Sequence, residues 1–266
     1  MKISVIIPTY NRASFLEKTL QSILEQSVNV DEIIVIDDGS TDETEDILKS
    51  YPVNYFYQSN QGVSAARNLG LLKAKNSWIA FLDSDDIWHP KKIEQHINFH
   101  KANPLILSSY SDELWVRNNI EIKLKTHQQK EIPTFLNSLR LCKIGPSTFF
   151  CHKEIFETVG NFDENLVVSE DYDLWLRILQ KYEIGYIDEK LTTKYAGHDQ
   201  LSFSTKLSDV YRIEALKKHI HSAYKNEVIK ELIYKTSLLL KGAIKHNNQE
   251  VIEKYQEELN YFLSQK

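Results

Sequence analysis

The chain has 266 residues, 42% of them hydrophobic, and a formal net charge of -5. That is enough apolar material for one large domain or two small ones with an ample core. The acidic balance excludes a general nucleic-acid binder, and no apolar run approaches the ~20 residues needed to span a bilayer.

Met1-Lys2 leads directly into Ile3-Ser4-Val5-Ile6-Ile7. This run reads as a buried strand and is too short for the apolar core of a signal peptide. Residues 8–26 come next, with Leu16, Leu20, Ile23 and Leu24 at helical spacing. DEIIVIDDGS (31–40) is a second buried strand. TDETEDILKSY (41–51) reads as a second helix, capped by Ser40 or Thr41 and with acids in its first turn. VNYFYQ (53–58) is a third strand, GVSAARNLGLLKAK (62–75) a third helix and SWIAFLD (77–83) a fourth strand. This alternation predicts right-handed βαβ units and a parallel sheet, with ligands bound beyond the carboxyl ends of the strands.

After about Asn103 the rhythm weakens. LILSSYSDELWV (105–116) and IEIKLKT (120–126) read as strands around the turn Arg117-Asn118-Asn119, and residues 132–164 mix helix, turn and strand. SEDYDLWLRILQKY (169–182) reads as a helix with Ser169 as its cap and Leu174, Ile178 and Leu179 inward. Residues 184–202 read as one or two strands and then a loop, and from Lys206 onward the pattern is helical. Residues 206–245 hold nine Lys or Arg against four Asp or Glu, with an apolar stripe through Val228, Leu232, Leu239 and Ile244. The stripe has three readings: packing on the core, packing on a second copy in a homodimer, or a peripheral membrane contact of a basic amphipathic helix. Cys142 and Cys151 match no common zinc spacing and read as reduced thiols, which suits a cytoplasmic protein or one peripheral to a membrane.

Three of the predicted strands end in polar signals: Pro8-Thr9-Tyr10-Asn11, Asp37-Asp38-Gly39-Ser40 and Asp83-Ser84-Asp85-Asp86. Three carboxylates in four residues repel and raise one another's pKa, so the last cluster needs a positive partner. A phosphate alone is repelled there, and a free sugar or nucleoside needs one or two acceptors, not five. A divalent cation bridging carboxylates and a diphosphate meets both demands, because Mg2+ takes one or two carboxylates and completes its shell with phosphate oxygens and water. One carboxylate of Asp83-x-Asp85 then serves the metal and the other a sugar or ribose hydroxyl. Asp37-Asp38 accepts from a base or ribose, and Asp86 is a spare that caps the next segment before Pro90. Each cluster alone has a plainer reading as a turn former or helix cap; their occurrence in one βα array points to a site.

VIIPTYNRASFLEKTLQSILEQ, EIIVIDDGSTDET, NQGVSAARNLGL, WIAFLDSDDIW and SEDYDLWLRI succeed one another along residues 1–200. In this order they resemble the inverting family 2 glycosyltransferases of the GT-A fold. The resemblance implies an α/β nucleotide-diphospho-sugar transferase fold, with a mostly parallel central sheet flanked by helices and a helical C-terminal extension. It divides the chain into a nucleotide-sugar-binding half (1–102), an acceptor-binding and catalytic-base half of the same domain (103–205) and the helical extension (206–266). It also implies a nucleotide-sugar donor, most commonly a UDP-sugar, with Mg2+ or Mn2+, and a sugar or lipid-linked glycan acceptor. The setting implied is cell-surface polysaccharide or glycoconjugate synthesis; the localisation expected from the chain itself is cytoplasmic, with a peripheral contact on the inner face of the membrane as the alternative that the basic tail offers.

Carried over by position, Pro8, Thr9 and Tyr10 match the turn that holds the nucleoside base, and Asp38 the acid that reads base or ribose. Arg67 and Asn68 match an Arg-Asn pair that contacts base or phosphate. Asp83 and Ser84 belong to the donor site, with Asp85 and Asp83 as metal ligands and Asp85 the preferred one. Glu170-Asp171 matches the catalytic Glu-Asp pair. Asp171 is expected to be the base, on the inward face of its helix with Leu174 and Ile178. Glu170 points aside, toward the acceptor or a neighbouring backbone. His198 matches a histidine near metal and pyrophosphate, although YAGHDQLS departs from the common spacing. Plainer readings stand beside these: Arg67 as an ion-pair partner of a rim acid, Tyr10 as a core aromatic, Asp171 as a first-turn acid favoured by the helix dipole, and His198 as a surface residue. Three other classes fit less well. FLDSDD resembles the nucleophile motif of haloacid-dehalogenase phosphatases, but the matching downstream Lys and Asp-Asp are missing. IIVIDDG with IAFLDSDD mimics a phosphoacceptor receiver domain, for which the chain is too long. A catalytically inactive nucleotide-sugar-binding regulator is disfavoured because all the expected acids are present.

Overall fold

The computed structural model describes residues 1–118, 120–123, 129–141, 143–197 and 208–265. Strands β1 (Ile3–Thr9), β2 (Glu32–Asp37), β3 (Asn54–Tyr57) and β4 (Trp78–Phe81) alternate with helices α1 (Ala13–Leu24), α2 (Thr44–Leu48) and α3 (Val63–Lys73). The strands pair in parallel in the order β3-β2-β1-β4. Thr9, Asp37 and the acids after Phe81 therefore emerge along one edge.

Every residue of β1 is buried, because both faces of this half-sheet are covered. Ile6, Ile34 and Ile36 pack with Ala66 and Leu71 of α3 on one side. Val5, Ile7 and Val35 pack with Leu16, Leu20 and Ile23 of α1 on the other. Double coverage is why these strands read as unbroken apolar runs, and burying each such side chain contributes about 1.5–3 kcal/mol. Gly70 lets α3 approach β1, since a Cβ there would come within 2.3 Å of Ile6 Cγ2. Two local expectations are corrected. Leu24 lies outside the buried stripe of α1 and is exposed. Neither Ser40 nor Thr41 caps α2: the Ser40 hydroxyl accepts from the Asn11 N–H, and Asp42 accepts from the N–H and hydroxyl of Thr44.

The second half contributes β5 (Asp86–Trp88), α4 (Lys92–Ala102), β6 (Ser108–Arg117), β7 (Ile120–Glu121), α5 (Phe135–Ser138) and a 3-10 turn at Pro146–Thr148. Then come β8 (Phe149–His152), α6 (Glu154–Val159), α7 (Glu170–Leu179) and β9 (Ile184–Tyr195). The same sheet continues β4-β8-β6-β9-β5, with β7 on β6. β6 and β9 are parallel, whereas β4–β8, β6–β8, β5–β9 and β6–β7 are antiparallel. The sheet is thus mixed: its first four strands are parallel as expected, and β8 reverses the direction where it enters between β4 and β6. Helix α4 carries little apolar signal because its inner face buries Lys92, His96 and His100 alongside Ile93 and Ile97.

The chain ends in α8 (Ser208–Lys217), α9 (Lys225–Lys245) and α10 (Gln249–Ser264). Ile213, Leu216, Val228, Leu232 and Phe262 pack against Tyr172 and Leu176 of α7 and Phe135 of α5. Helix α7 therefore faces two cores, with Leu174, Trp175 and Ile178 in the sheet-side one. Val228 and Leu232 of the predicted stripe are buried in this packing and have no part in a membrane contact, while Ile244 stays exposed. No helix among the described residues is long and apolar enough to cross a membrane. Cys151 is a buried free thiol whose pKa burial pushes up; Cys142 lies outside the described residues.

Candidate active site

The parallel strand ends form a crevice. Asp37 accepts from the Ser40 N–H and the Tyr55 hydroxyl. Asp38 is buried and accepts three hydrogen bonds, from the Gln58 amide and the N–H groups of Gln61 and Gly62, so it fastens the segment leading into α3 onto β2. Pro8 is buried at the end of β1, and Tyr10 beside it is 47% exposed. The buried hydroxyls of Thr9 and Ser64 and the Nε of Arg67 find no hydrogen-bond partner among the described residues. Each such orphan costs about 1–3 kcal/mol. Asn68 is occupied by the protein: its amide donates to the Phe162 carbonyl and Glu164, and its oxygen accepts from the Phe162 N–H. Ser84 is buried, with its carbonyl accepting from the Thr19 hydroxyl.

The three clustered acids have separate partners. Asp83 Oδ1 accepts from Arg67 Nη2 at 2.7 Å, and its Oδ2 lies 3.8 Å from Lys194 Nζ. Burial pushes the Asp83 carboxyl up, but Arg67 and then Lys194 outweigh it and hold it below the ordinary range. Asp86 is fully buried, paired with Lys194 at 2.6 Å and accepting from the Ser147 hydroxyl at 2.5 Å. It is neither a spare nor a cap: it opens β5 opposite Lys194 of β9, and burial raises its pKa despite that lysine. The Ser147 hydroxyl also accepts from the Asp83 N–H, so the turn before β8 clamps both acids. Asp85 keeps a side chain 15% exposed, 4.0 Å from Arg12. The positive partners demanded by the acidic run are therefore chiefly the protein's own Arg67 and Lys194.

Arg67 does more than neutralise Asp83. It is buried, and its Nη1 donates to Glu170 Oε1 at 2.6 Å, which ties the end of β4 to the start of α7. Burial, and next the charge of Asp171, lift Glu170 above the usual carboxylate range against the pull of Arg67. Burial likewise raises Asp171. Glu170 is the buried member of the pair and faces Arg67, whereas Asp171 is partly open and accepts from the Tyr172 N–H; the expected inward Asp171 and sideways Glu170 are exchanged. Ser169 does not cap α7 with its side chain. It adopts φ 64 and ψ 21, a left-handed conformation costing on the order of 1 kcal/mol for a non-glycine residue, and such strain collects at functional sites.

Among the described residues no group of three or more His, Cys, Asp or Glu is arranged to hold a metal, and His198 lies outside them. A hard cation shared with a diphosphate needs less, one or two carboxylates with phosphate oxygens and water. Asp85 fits that demand better than Asp83, which Arg67 and Lys194 already engage. Sequence reasoning missed Lys194 and Ser147. Lys194 shares the alternation phase of exposed Lys190, and nothing local separates the two. Glu113, buried and paired with Lys130 at 2.8 Å, adds to the field at Lys194 and was missed for the same reason.

Known proteins resemble this chain in sequence and fold. The model of glycosyl transferase family 2 matches residues 4–156. An uncharacterized glycosyltransferase of Rickettsia typhi is 32% identical over 80% of this chain and 70% of its own length, and the chain spans 32% of two longer rickettsial relatives. The Escherichia coli UDP-Glc:alpha-D-GlcNAc-diphosphoundecaprenol beta-1,3-glucosyltransferase WfaP is 31% identical over 92% of this chain and 95% of its own. Residues 1–349 of Staphylococcus aureus TarS, solved with UDP-GlcNAc, superpose with a TM-score of 0.78 over all of this chain and 81% of theirs, at 19% identity; that likeness shows the GT-A fold. The matched domain and the relatives over most of the chain agree, and the chain belongs to glycosyl transferase family 2.

Proposed function

We propose that the chain transfers a sugar from a nucleotide-diphosphate-sugar, a UDP-sugar in particular, to an acceptor hydroxyl with inversion at the anomeric carbon. The product belongs to a cell-surface polysaccharide or glycoconjugate, and the acceptor is a sugar or lipid-linked glycan met on the cytoplasmic face of the membrane. The single observation that carries this reading is Arg67, which ion-pairs with Asp83 of the donor edge and Glu170 of the acceptor-side helix at 2.7 and 2.6 Å. WfaP, whose name specifies a UDP-sugar and a diphosphoundecaprenol-linked acceptor, supports the choice of donor and acceptor.

In this reading Tyr10 stacks on the base, while Thr9 and Asp38 border it. Asp85 would hold Mg2+ or Mn2+, and that ion would supply Lewis-acid stabilisation of the leaving diphosphate. Arg67 and Lys194 fix Asp83 and Asp86. Asp171 takes the proton of the acceptor hydroxyl as its oxygen bonds to the anomeric carbon, and the carbon–oxygen bond to the diphosphate breaks with its electron pair going to the leaving group. Glu170, engaged by Arg67, holds α7 in register and is not the base.

Release of nucleoside diphosphate from nucleotide-sugars with Mn2+ tests this. Asp171→Asn is expected to leave donor binding nearly unchanged and to lower turnover by ~10²-fold or more, with Glu170→Gln affecting acceptor KM more than turnover. The reverse pattern would move the base to Glu170. Asp85→Asn is expected to abolish metal-dependent donor binding in a thermal-shift assay with the fold intact, and unchanged donor affinity in Mn2+ would refute the metal assignment.

A further inference from the structure

Helix α9 has a second face that its core packing leaves unused. Lys230, Tyr234, Leu238, Lys241 and Lys245 lie within about 80° of its circumference at 3.6 residues per turn, and all five are exposed. Tyr234 and Leu238 are 42% and 41% exposed, and Ile244 at the border 57%. Among the described residues the ion pairs of α9 are those of buried Glu231 with Arg140 and Lys235 and of buried Lys235 with Asp209. Arg140 borders the face with its charge already paired to Glu231 at 2.8 Å: its guanidinium lies 3.7 Å from the centroid of the Tyr234 ring, and its side chain is 58% exposed. On the neighbouring α10 exposed Glu250, Glu253 and Glu257 have the opposite sign and stand beside exposed Lys254.

The position of this face connects it to the site. The Arg140 carbonyl accepts from Lys235 of α9, and the adjoining Leu139 carbonyl accepts from the hydroxyl of Tyr172, the residue after Asp171. Residues 139 and 140 thus bond both α9 and α7.

We propose that this face docks on an anionic phospholipid surface, with Tyr234 and Leu238 entering the headgroup boundary and Lys230, Lys241 and Lys245 meeting the headgroups. An exposed helical face with lysines around an aromatic and a leucine is what such a surface selects. A second copy is disfavoured, because an isologous contact through this face sets lysines against lysines. In purpose the proposal rests on the reading of the chain as a transferase acting on a lipid-linked acceptor; in physics it rests on the face alone.

The test is co-sedimentation of the full chain with phosphatidylcholine vesicles, with and without phosphatidylglycerol, at low and high salt. Binding is expected only with phosphatidylglycerol and is expected to be released by salt. The variant Lys230→Glu/Lys241→Glu/Lys245→Glu is expected to weaken it by about a hundredfold, with an unchanged melting curve and unchanged nucleoside diphosphate release with a soluble acceptor. Leu238→Ser is expected to weaken binding less. Three results overturn the proposal: no binding at low salt, equal binding to phosphatidylcholine alone, or a triple variant that binds as tightly as the parent. A concentration-dependent dimer that the triple variant abolishes gives the face to a second copy and overturns it too. Because vesicle binding is read without turnover, a chain that binds phosphatidylglycerol but transfers no sugar refutes the functional reading and leaves the docking surface standing.

Discussion

Lys194 of β9 and Lys92 of α4 are both withdrawn from solvent, which lowers either amine, yet their pKa values move in opposite directions. Lys194 sits between Asp86 and Asp83, whose charges, with Glu113 behind them, outweigh desolvation and raise it above the ordinary lysine value. Lys92, fully buried on the inner face of α4, bonds neutral groups among the described residues: His96 Nε2 at 3.1 Å, the Ser111 hydroxyl at 3.3 Å and the Thr148 carbonyl at 3.1 Å, with the charge of Glu113 acting on it without a bond. Burial pushes it down to about 7. The chain continues from His96 through the Ser109 hydroxyl to His100, which reaches the Ile106 carbonyl. Burial lowers His96 well below its usual value and His100 to about 4. A buried cation keeps its proton where carboxylates face it and tends to shed it where they do not. The two networks meet at the turn Pro146–Thr148, where Lys92 holds the Thr148 carbonyl and Ser147 holds Asp83 and Asp86.

The sharpest way to break this contrast is to remove both amines. Lys194→Met leaves Asp86 buried without its counter-charge and is expected to cost about 3–5 kcal/mol in chemical denaturation; replacing Asp86 by Leu as well is expected to restore most of it. Lys92→Met strands no carboxylate and is expected to cost only about 1–2 kcal/mol near pH 7, the scale of lost hydrogen bonds. Equal losses would mean that the two sites carry the same charge. The smaller, pH-dependent effect sharpens the point. Between about pH 7 and the unfolded lysine value of ~10.4 the unfolded chain keeps a proton that folded Lys92 has lost, so this group makes stability rise with pH. The stability gap between the unaltered chain and Lys92→Met is therefore expected to widen from pH 7 to 10, by up to about 1 kcal/mol per pH unit. A constant gap would show that Lys92 is charged in the fold.

Much of the donor half was legible residue by residue. Ile3–Thr9 and Glu32–Asp37 read as buried strands and are buried strands, because parallel strands covered on both faces leave unbroken apolar runs. The beginning of α7 at Glu170 was equally plain. Helix α4 was not, because Lys92, His96 and His100 occupy the face where apolar residues would have announced it. Strand β5 was hidden in the acidic run, since three residues are too few for a period.

The sequence by itself determined the family, the parallel order of the first elements and the acids that crowd the strand ends. Those signals are local: a period of two or 3.6, a polar turn, a motif of adjacent residues. Only the tertiary structure decided what neutralises the acids, which member of the Glu-Asp pair is buried, and which face of α9 meets solvent. Asp86 and Lys194 stand 108 residues apart and Arg67 and Glu170 103 apart. Such partners are chosen by strand pairing and helix docking, and contacts so distant along the chain leave no periodic trace in it.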